Sequence, residues 1–373
     1  MCVFCEKWAS GGIESFVKNI VLCMDFQAVQ VDVVAACLTD SVFTEPLRQR
    51  GVRFFELSGD QNRLLKNYRL FVRLLSTERY DVVHFNIFHG LSMVYACLAK
   101  RAGVPVRIVH GHGTNLRKSL TKPMKLLLHT VSKELFTGAA TDCWACSAPA
   151  AEFLFAREIV EARKFLFIPN GIQIDRFRFH PKLRGELRCQ LGIADAELVV
   201  GHVGRLCYEK NQTFVLDVFS RVAARQPSSR LLLVGEGEDE AALRRKAERL
   251  GIADRVIFYG VSNHVERMLW AMDVFVFPSL FEGLPVVGIE AQAAGLPVVC
   301  SDRIPNQTWV LDRVRTLSLL AGAEAWAEAA LALAALPRTG AEAEQVRAAG
   351  FDVADVAAQI EARYKGDCGS GKT

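Results

Sequence analysis

Apolar and polar positions follow two alternating rhythms along the chain. Short runs rich in Val, Ile, Phe and Leu predict strands, and between them lie longer stretches whose apolar residues recur every three or four positions, as in helices. In the first half the predicted strands cover residues 3–4, 29–38, 52–57, 82–86, 106–110 and 142–147. In the second half a strand from Leu198 ends at Gly204–Arg205, another starts at Arg230, and further strands cover 256–260, 274–277 and 297–300. Strand and helix in strict alternation imply parallel sheets, that is, a doubly wound α/β fold.

The stretch from Asp273 to Asp302 reads as strand, polar loop, small-residue helix and strand. Pro285 suits the first turn of that helix and Gly295 its end. The helix start presents backbone N–H groups and the positive end of a dipole, and Gly283 lets a ligand approach, so an anion is expected there. Glu282 lies in the loop and Glu290 in an otherwise apolar helix. A buried carboxylate needs a partner, so Glu290 reads either as a residue on the helix's wet side or, with Glu282, as one of two carboxylates accepting hydrogen bonds from sugar hydroxyls.

At 373 residues the chain predicts two domains, and its 51% hydrophobic content makes it globular. A net charge of +4 is too weak to argue for nucleic acid without a clustered patch. No apolar run is long enough for a bilayer span, and the first residues lack a signal-peptide pattern. The odd count of 11 scattered cysteines suggests reduced thiols in a cytosol. Cys2/Cys5 and Cys143/Cys146 formally allow a zinc site, but both pairs fall in strand-like segments and read as buried small hydrophobes.

Candidate chemistry is spread over both halves. Gly11–Gly12 follows the first strand in the shape of a phosphate loop, and the next helix runs to about Met24. His110-Gly-His112-Gly113 closes another strand at the edge where ligands bind in such sheets, with His112, nearer the loop, favoured over His110. Arg117, Lys118, Lys122 and Lys125 are interleaved with leucines, and Arg63, Lys66, Arg69 and Arg73 form a second basic ridge. Both read as solvated helix faces or as contacts with anionic lipid. Pro169-Asn170-Gly171 marks a hinge. After it, Gly204–Arg205 and Lys210 bracket a strand-to-helix turn as a diphosphate clamp would, and the loop at Val261 could touch a base. Gly235-Glu-Gly237 is followed by Glu240 where a dinucleotide fingerprint needs glycine, so that fingerprint fails. The tail from Gly366 to Thr373 spells a phosphate-loop pattern without the required strand before it or helix after it, and residues 367–373 are expected to be disordered.

In their order along the chain, Gly11-Gly-Ile-Glu14, Ile168-Pro-Asn-Gly-Ile172, Gly204-Arg205 with Lys210, Val234-Gly-Glu-Gly237, Val256-Ile-Phe-Tyr-Gly260 and Pro278-Ser-Leu-Phe-Glu282-Gly-Leu-Pro285 with Glu290 resemble the family 4 retaining glycosyltransferases of the GT-B fold. His110-Gly-His112 and the sequence around Glu290 are similar to the bacterial exopolysaccharide and capsule branch. The resemblance implies two Rossmann-like doubly wound domains facing an inter-domain cleft. Residues 1–170 would bind the acceptor and 171–348 the nucleotide sugar, while 349–366 would cross back to the first domain.

It also implies roles. Arg205 and Lys210 hold the diphosphate, Glu290 the ribose, and Glu282 the donor sugar. Gly283, Leu284 and Pro285 face sugar and phosphates, Gly204 belongs to the clamp turn, Gly11 and Gly12 meet the β-phosphate, and His112 sits near the sugar on the acceptor side. The donor is a nucleotide sugar, most often UDP-linked in that family, and the acceptor a saccharide or lipid-linked saccharide. No cofactor and no metal is called for, since the two cations replace one and no Asp-x-Asp motif lies in a suitable loop. A cytoplasmic protein at the inner face of the membrane is expected. The competing expectations are a non-catalytic sugar-binding protein of the same fold and an NAD-dependent oxidoreductase. The extra Gln173–Ile174 before Asp175 departs from the family pattern at the hinge.

Overall fold

The structure, a computed structural model, describes residues 1–9, 11–26, 29–39, 41–116 and 122–366. Arg117 and Lys118 of the basic stretch and the tail 367–373 lie outside the described residues. The chain divides into two compact units, one formed by Met1–Gly171 with the segment that starts at Asp352, the other by Ile172–Phe351.

In the first unit seven strands form one sheet: β1 (Cys2–Cys5), β2 (Asp32–Ala35), β3 (Arg53–Glu56), β4 (Val82–Ile87), β5 (Val106–Gly111), β6 (Asp142–Ala145) and β7 (Leu166–Phe167). They pair in parallel in the order β3-β2-β1-β4-β5-β6-β7. Every residue of β1 and β4 is buried, as expected of central parallel strands covered on both faces. The short first strand is therefore central.

Helix Gly12–Cys23 buries Ile13, Phe16, Val17, Ile20 and Val21 at helical spacing. Helix Val353–Tyr364 packs on it, with Val353, Val356, Ala357 and Ile360 in the same core. The Asp352 side chain caps this last helix by accepting from the Ala354 N–H at 2.9 Å. A Cβ on Gly171 would come within 2.8 Å of the Val353 Cα, so Gly171 serves close packing as well as a turn. Cys2, Cys5 and Cys146 are buried, and burial pushes the Cys143 and Cys146 thiols up to about 12, where they act as protonated apolar fillers.

The second unit repeats the scheme with β8 (Leu198–Val203), β9 (Ser229–Val234), β10 (Val256–Gly260), β11 (Val274–Phe277), β12 (Val298–Ser301) and β13 (Val314–Leu317). They pair in parallel in the order β10-β9-β8-β11-β12-β13. Two elements differ from the sequence expectation. β13 lies where the strand signal fades after Asp302, because as an edge strand it is only partly buried. The polar passage after the hinge is a helix, Pro181–Gln190, with Pro181 in its first turn. It is anchored by ion pairs: fully buried Arg188 meets Asp273 Oδ2 at 2.6 Å and Arg184 meets Oδ1 at 2.7 Å. Asp273 Oδ2 also accepts from the Val199 N–H at 2.7 Å, joining the starts of β8 and β11.

Candidate active site

In the second unit the strand order reverses between β8 and β11, and ligands of doubly wound sheets bind beyond the carboxyl ends at such a point. Gly204 and Arg205 follow β8, while Glu282, Gly283, Leu284 and Pro285 follow β11. Topology alone thus brings the clamp and the acidic loop together. The Leu280 N–H donates to the Glu209 carbonyl at 2.8 Å, and Asn211, in a left-handed conformation, donates from Nδ2 to the Pro278 carbonyl at 3.2 Å.

Lys210 Nζ lies 2.6 Å from Glu282 Oε1, with the two side chains 21% and 13% exposed. The Lys210 ammonium also sits 5.4 Å from the centre of the Phe277 ring. Its stem passes 3.6 Å from where a Cβ on Gly204 would be. Arg205 is half-exposed and reaches Glu238 at 3.5 Å and Glu209 at 3.9 Å. Both contacts are long and the guanidinium is itself half-exposed, which leaves it able to exchange partners.

Helix Val286–Ala293 starts one residue later than expected, with Pro285 in the cap position and no side-chain cap. It ends as expected: Gly295 has φ 64°, and its N–H donates to the Gln292 carbonyl at 2.8 Å. Glu290 is half-buried on this helix. Val261, just past β10, is 63% exposed. Gly235 and Gly237 are packing glycines, since a Cβ on either would come within 2.1 Å of the Gly204 or Leu206 carbonyl oxygen. The Gly-x-Gly thus braces the clamp turn from behind.

In the first unit Gly11 caps helix Gly12–Cys23 without a side chain of its own. Glu14, third in that helix, folds back so that Oε1 accepts from the Ala9 N–H at 3.2 Å, and its Oε2 lies 2.6 Å from where a Cβ on Gly11 would be. This is the acidic half of a capping box. Burial pushes the Glu14 pKa up, and the N–H groups of Glu14, Ala9 and Gly11 pull against it. Nothing lies within 4 Å of a Cβ on Gly12, so the open side of this loop is at Gly12.

His110 ends inside the core and His112 just beyond β5, both buried. His112 Nε2 donates to Asn86 Oδ1 at 2.9 Å, which leaves Nδ1 of the neutral ring as an acceptor. The ring also packs on Phe16 and on His110, at centroid separations of 5.2 and 4.1 Å. His110 Nδ1 pairs with His84 Nε2 at 3.2 Å, and His84 Nδ1 with the Tyr364 hydroxyl at 2.7 Å. Burial holds His84 and His112 at about 3 and His110 well below its ordinary value.

Comparison with known proteins fits both units. Residues 11–171 match the glycosyl transferase 4-like domain and residues 197–335 match glycosyl transferases group 1. EpsF of Bacillus subtilis (strain 168) is 32% identical over 349 residues, covering 92% of this chain and 90% of EpsF. This chain belongs to the group 1 glycosyl transferases. An Escherichia coli relative, UDP-Gal:alpha-D-GlcNAc-diphosphoundecaprenol alpha-1,3-galactosyltransferase, is 28% identical over 283 residues, 73% of this chain and 72% of its own. Among solved structures, Anabaena Alr3699/HepE in complex with UDP-glucose shares the fold, with a TM-score of 0.78 at 21% identity, covering 98% of this chain and 99% of that one.

In this glycosyltransferase several supporting residues escape a sequence reading. His202 is fully buried in β8, with Nδ1 donating to the Val276 carbonyl at 2.9 Å and Nε2 3.1 Å from Gln212 Nε2. Gln212 in turn donates to the Arg205 carbonyl at 2.8 Å and accepts from the Cys207 N–H at 3.3 Å. Burial holds His202 at about 4, so a neutral ring and one amide fix the turn that carries Arg205 and Lys210. The only signal was a polar residue inside an apolar run. Asn86, which orients His112, is of the same kind.

Proposed function

We propose that this glycosyltransferase moves a sugar from a UDP-linked donor to a saccharide or lipid-linked saccharide acceptor, with retention at the anomeric carbon, in cytoplasmic steps of cell-surface polysaccharide synthesis. The observation that carries the reading is the Lys210–Glu282 pair at 2.6 Å beside a helix start without a side-chain cap. A diphosphate offers Lys210 a stronger partner than one carboxylate, and the exchange releases Glu282 to accept hydrogen bonds from the sugar. The names of the galactosyltransferase and of the HepE complex both include a uridine nucleotide, which supports UDP.

The chemical demand is charge growing on the leaving diphosphate as the glycosidic bond breaks. Fixed cations and helix N–H groups stabilise charge where it develops in the transition state. In this reading Arg205 and Lys210 take the phosphates with the backbone of Gly283 to Pro285, Glu290 takes the ribose hydroxyls, and Val261 lies against the base. Gly12, with Gly11 behind it, approaches the β-phosphate, and His112 Nδ1 accepts from a sugar hydroxyl. No step calls for a metal.

A thermal-shift screen of UDP, GDP, ADP and NAD tests the donor class. A ligand near 100 times its Kd stabilises by about 2.7 kcal/mol through mass action. UDP is expected to give the largest shift, and stabilisation by NAD alone would overturn the reading.

A further inference from the structure

We propose that the first unit carries a site for a small sugar phosphate, in a hollow where strands β6 and β7 begin. This is the sheet edge opposite the carboxyl ends, where Gly11–Gly12 follows β1 and His112 follows β5. The hollow holds about 400 Å³, within the roughly 300–1,000 Å³ usual for small-ligand pockets. Its floor is aromatic, formed by Trp144 and Phe165. The buried Trp144 ring is fixed in place, lying nearly parallel to Tyr364 at a centroid separation of 6.2 Å and edge-on to His84 at 5.0 Å. A floor held in this way is formed before a ligand arrives.

Charge gives the hollow its sign. Arg163, Lys164 and Arg363 line it against one carboxylate among the described residues, Asp142. The acids of the flanking helices are engaged elsewhere: Glu161 meets Arg157 at 2.5 Å, and Glu361 meets Lys365 at 2.7 Å. Among the described residues the side chains of Arg163, Lys164 and Asp142 have no ion-pair or hydrogen-bond partner, although all three line the same hollow. Opposite charges that share a hollow without pairing leave room between them for a guest that takes both. Arg163 also holds a strained position. Its φ is 50°, just past helix Arg157–Glu161, in the left-handed conformation that glycine or asparagine usually fills at a helix end.

The lining selects the ligand class. A guanidinium and an ammonium hold a phosphate, a carboxylate accepts from sugar hydroxyls, and an aromatic floor takes the apolar face of a sugar ring. Inorganic phosphate would set Asp142 against like charge, and a neutral sugar would leave the cations unused. The inference concerns the first unit alone and does not depend on the transfer reaction.

The test is hydrogen exchange followed by mass spectrometry on the full chain, with glucose 1-phosphate, glucose or inorganic phosphate at one concentration. Protection is read at residues 137–144 and 163–166, apart from the turn that carries Arg205 and Lys210. Glucose 1-phosphate is expected to slow exchange in both segments at least threefold more than either of the others, and raised salt should weaken the effect. Arg163→Gly with Lys164→Gln removes two cations while glycine keeps the left-handed turn, so protection should vanish at an unchanged or raised melting temperature. Asp142→Asn should cut the advantage of glucose 1-phosphate over inorganic phosphate at least threefold. If the double variant melts lower, Lys164→Gln alone, on an exposed side chain, decides, with at least a threefold loss of protection expected. Absence of protection at these segments, or wild-type protection in a folded variant, would overturn the proposal. Equal protection by inorganic phosphate would overturn it too, reducing the hollow to a place for an adventitious ion only.

Discussion

The two units each place a glycine-led loop before a helix, and the two loops have been finished differently. At Gly11–Gly12 the helix supplies its own anion: Glu14 turns back onto the N–H groups ahead of it. At Gly283–Pro285 the helix start has no side-chain cap, and the loop carboxylate, Glu282, is engaged by Lys210 from the neighbouring strand end. In sequence both are small-residue loops of the same kind. In structure one carries its own carboxylate and the other pairs Glu282 with Lys210, the pair that a diphosphate would open in the proposed reaction. The first unit also holds a cluster of three buried neutral imidazoles, His84, His110 and His112, where the second has one, His202, beside paired charges at Asp273 and Lys210.

The largest effect expected from that contrast is on acid stability. His84, His110 and His112 titrate below the unfolded value of 6.5 when folded, so the stability they contribute is present above pH 6.5 and is lost as pH falls below it, toward about 3 for His84 and His112. In the second unit His202 contributes in the same direction. Hydrogen exchange followed by mass spectrometry at pH 7 and pH 5 should show β4 and β5 losing protection more than β8 and β11, and equal loss would break the contrast.

Next in size, Lys210→Ala removes the charge-assisted contact at 2.6 Å with Glu282 and one of the two proposed phosphate cations, so kcat/KM should fall roughly 100-fold. Arg205→Ala, acting on a more solvated group, should cost roughly tenfold in the same assay. Wild-type transfer by both variants would remove the clamp from the account. Glu282→Gln sharpens the assignment of roles, because it should lower kcat more than it weakens UDP binding. The smallest effect belongs to the first unit's loop: Glu14→Ala should cost about 1 kcal/mol of stability, the usual worth of a helix cap, read as a lower melting temperature. A rate loss as large as that of Lys210→Ala would mean that the two loops do the same work.

The parallel alternation, the unit around β11 and β12, and the candidate cations were all legible along the chain, because each is local in sequence. Apolar periodicity marks the strands, and Gly295 marks a helix end whatever surrounds it. What could not be read is tertiary. Lys210 meets Glu282 across 72 positions, and only the adjacency of β8 and β11 makes them partners. Helix Pro181–Gln190 looks like a linker because it owes its place to Arg184 and Arg188 on Asp273 rather than to an apolar face. Gly235 and Gly237 spell half of a nucleotide motif, yet they are glycine because carbonyls of the clamp turn lie against them. Helix Lys122–Phe136 defeats periodicity in another way, since its apolar face is the exposed one.

The most direct measurement is the affinity of UDP for the wild-type chain and for Lys210→Ala, by titration calorimetry under one set of salt conditions. The account predicts that the wild-type chain binds UDP and that the variant binds it at least tenfold more weakly. Equal affinity in the two proteins would contradict it.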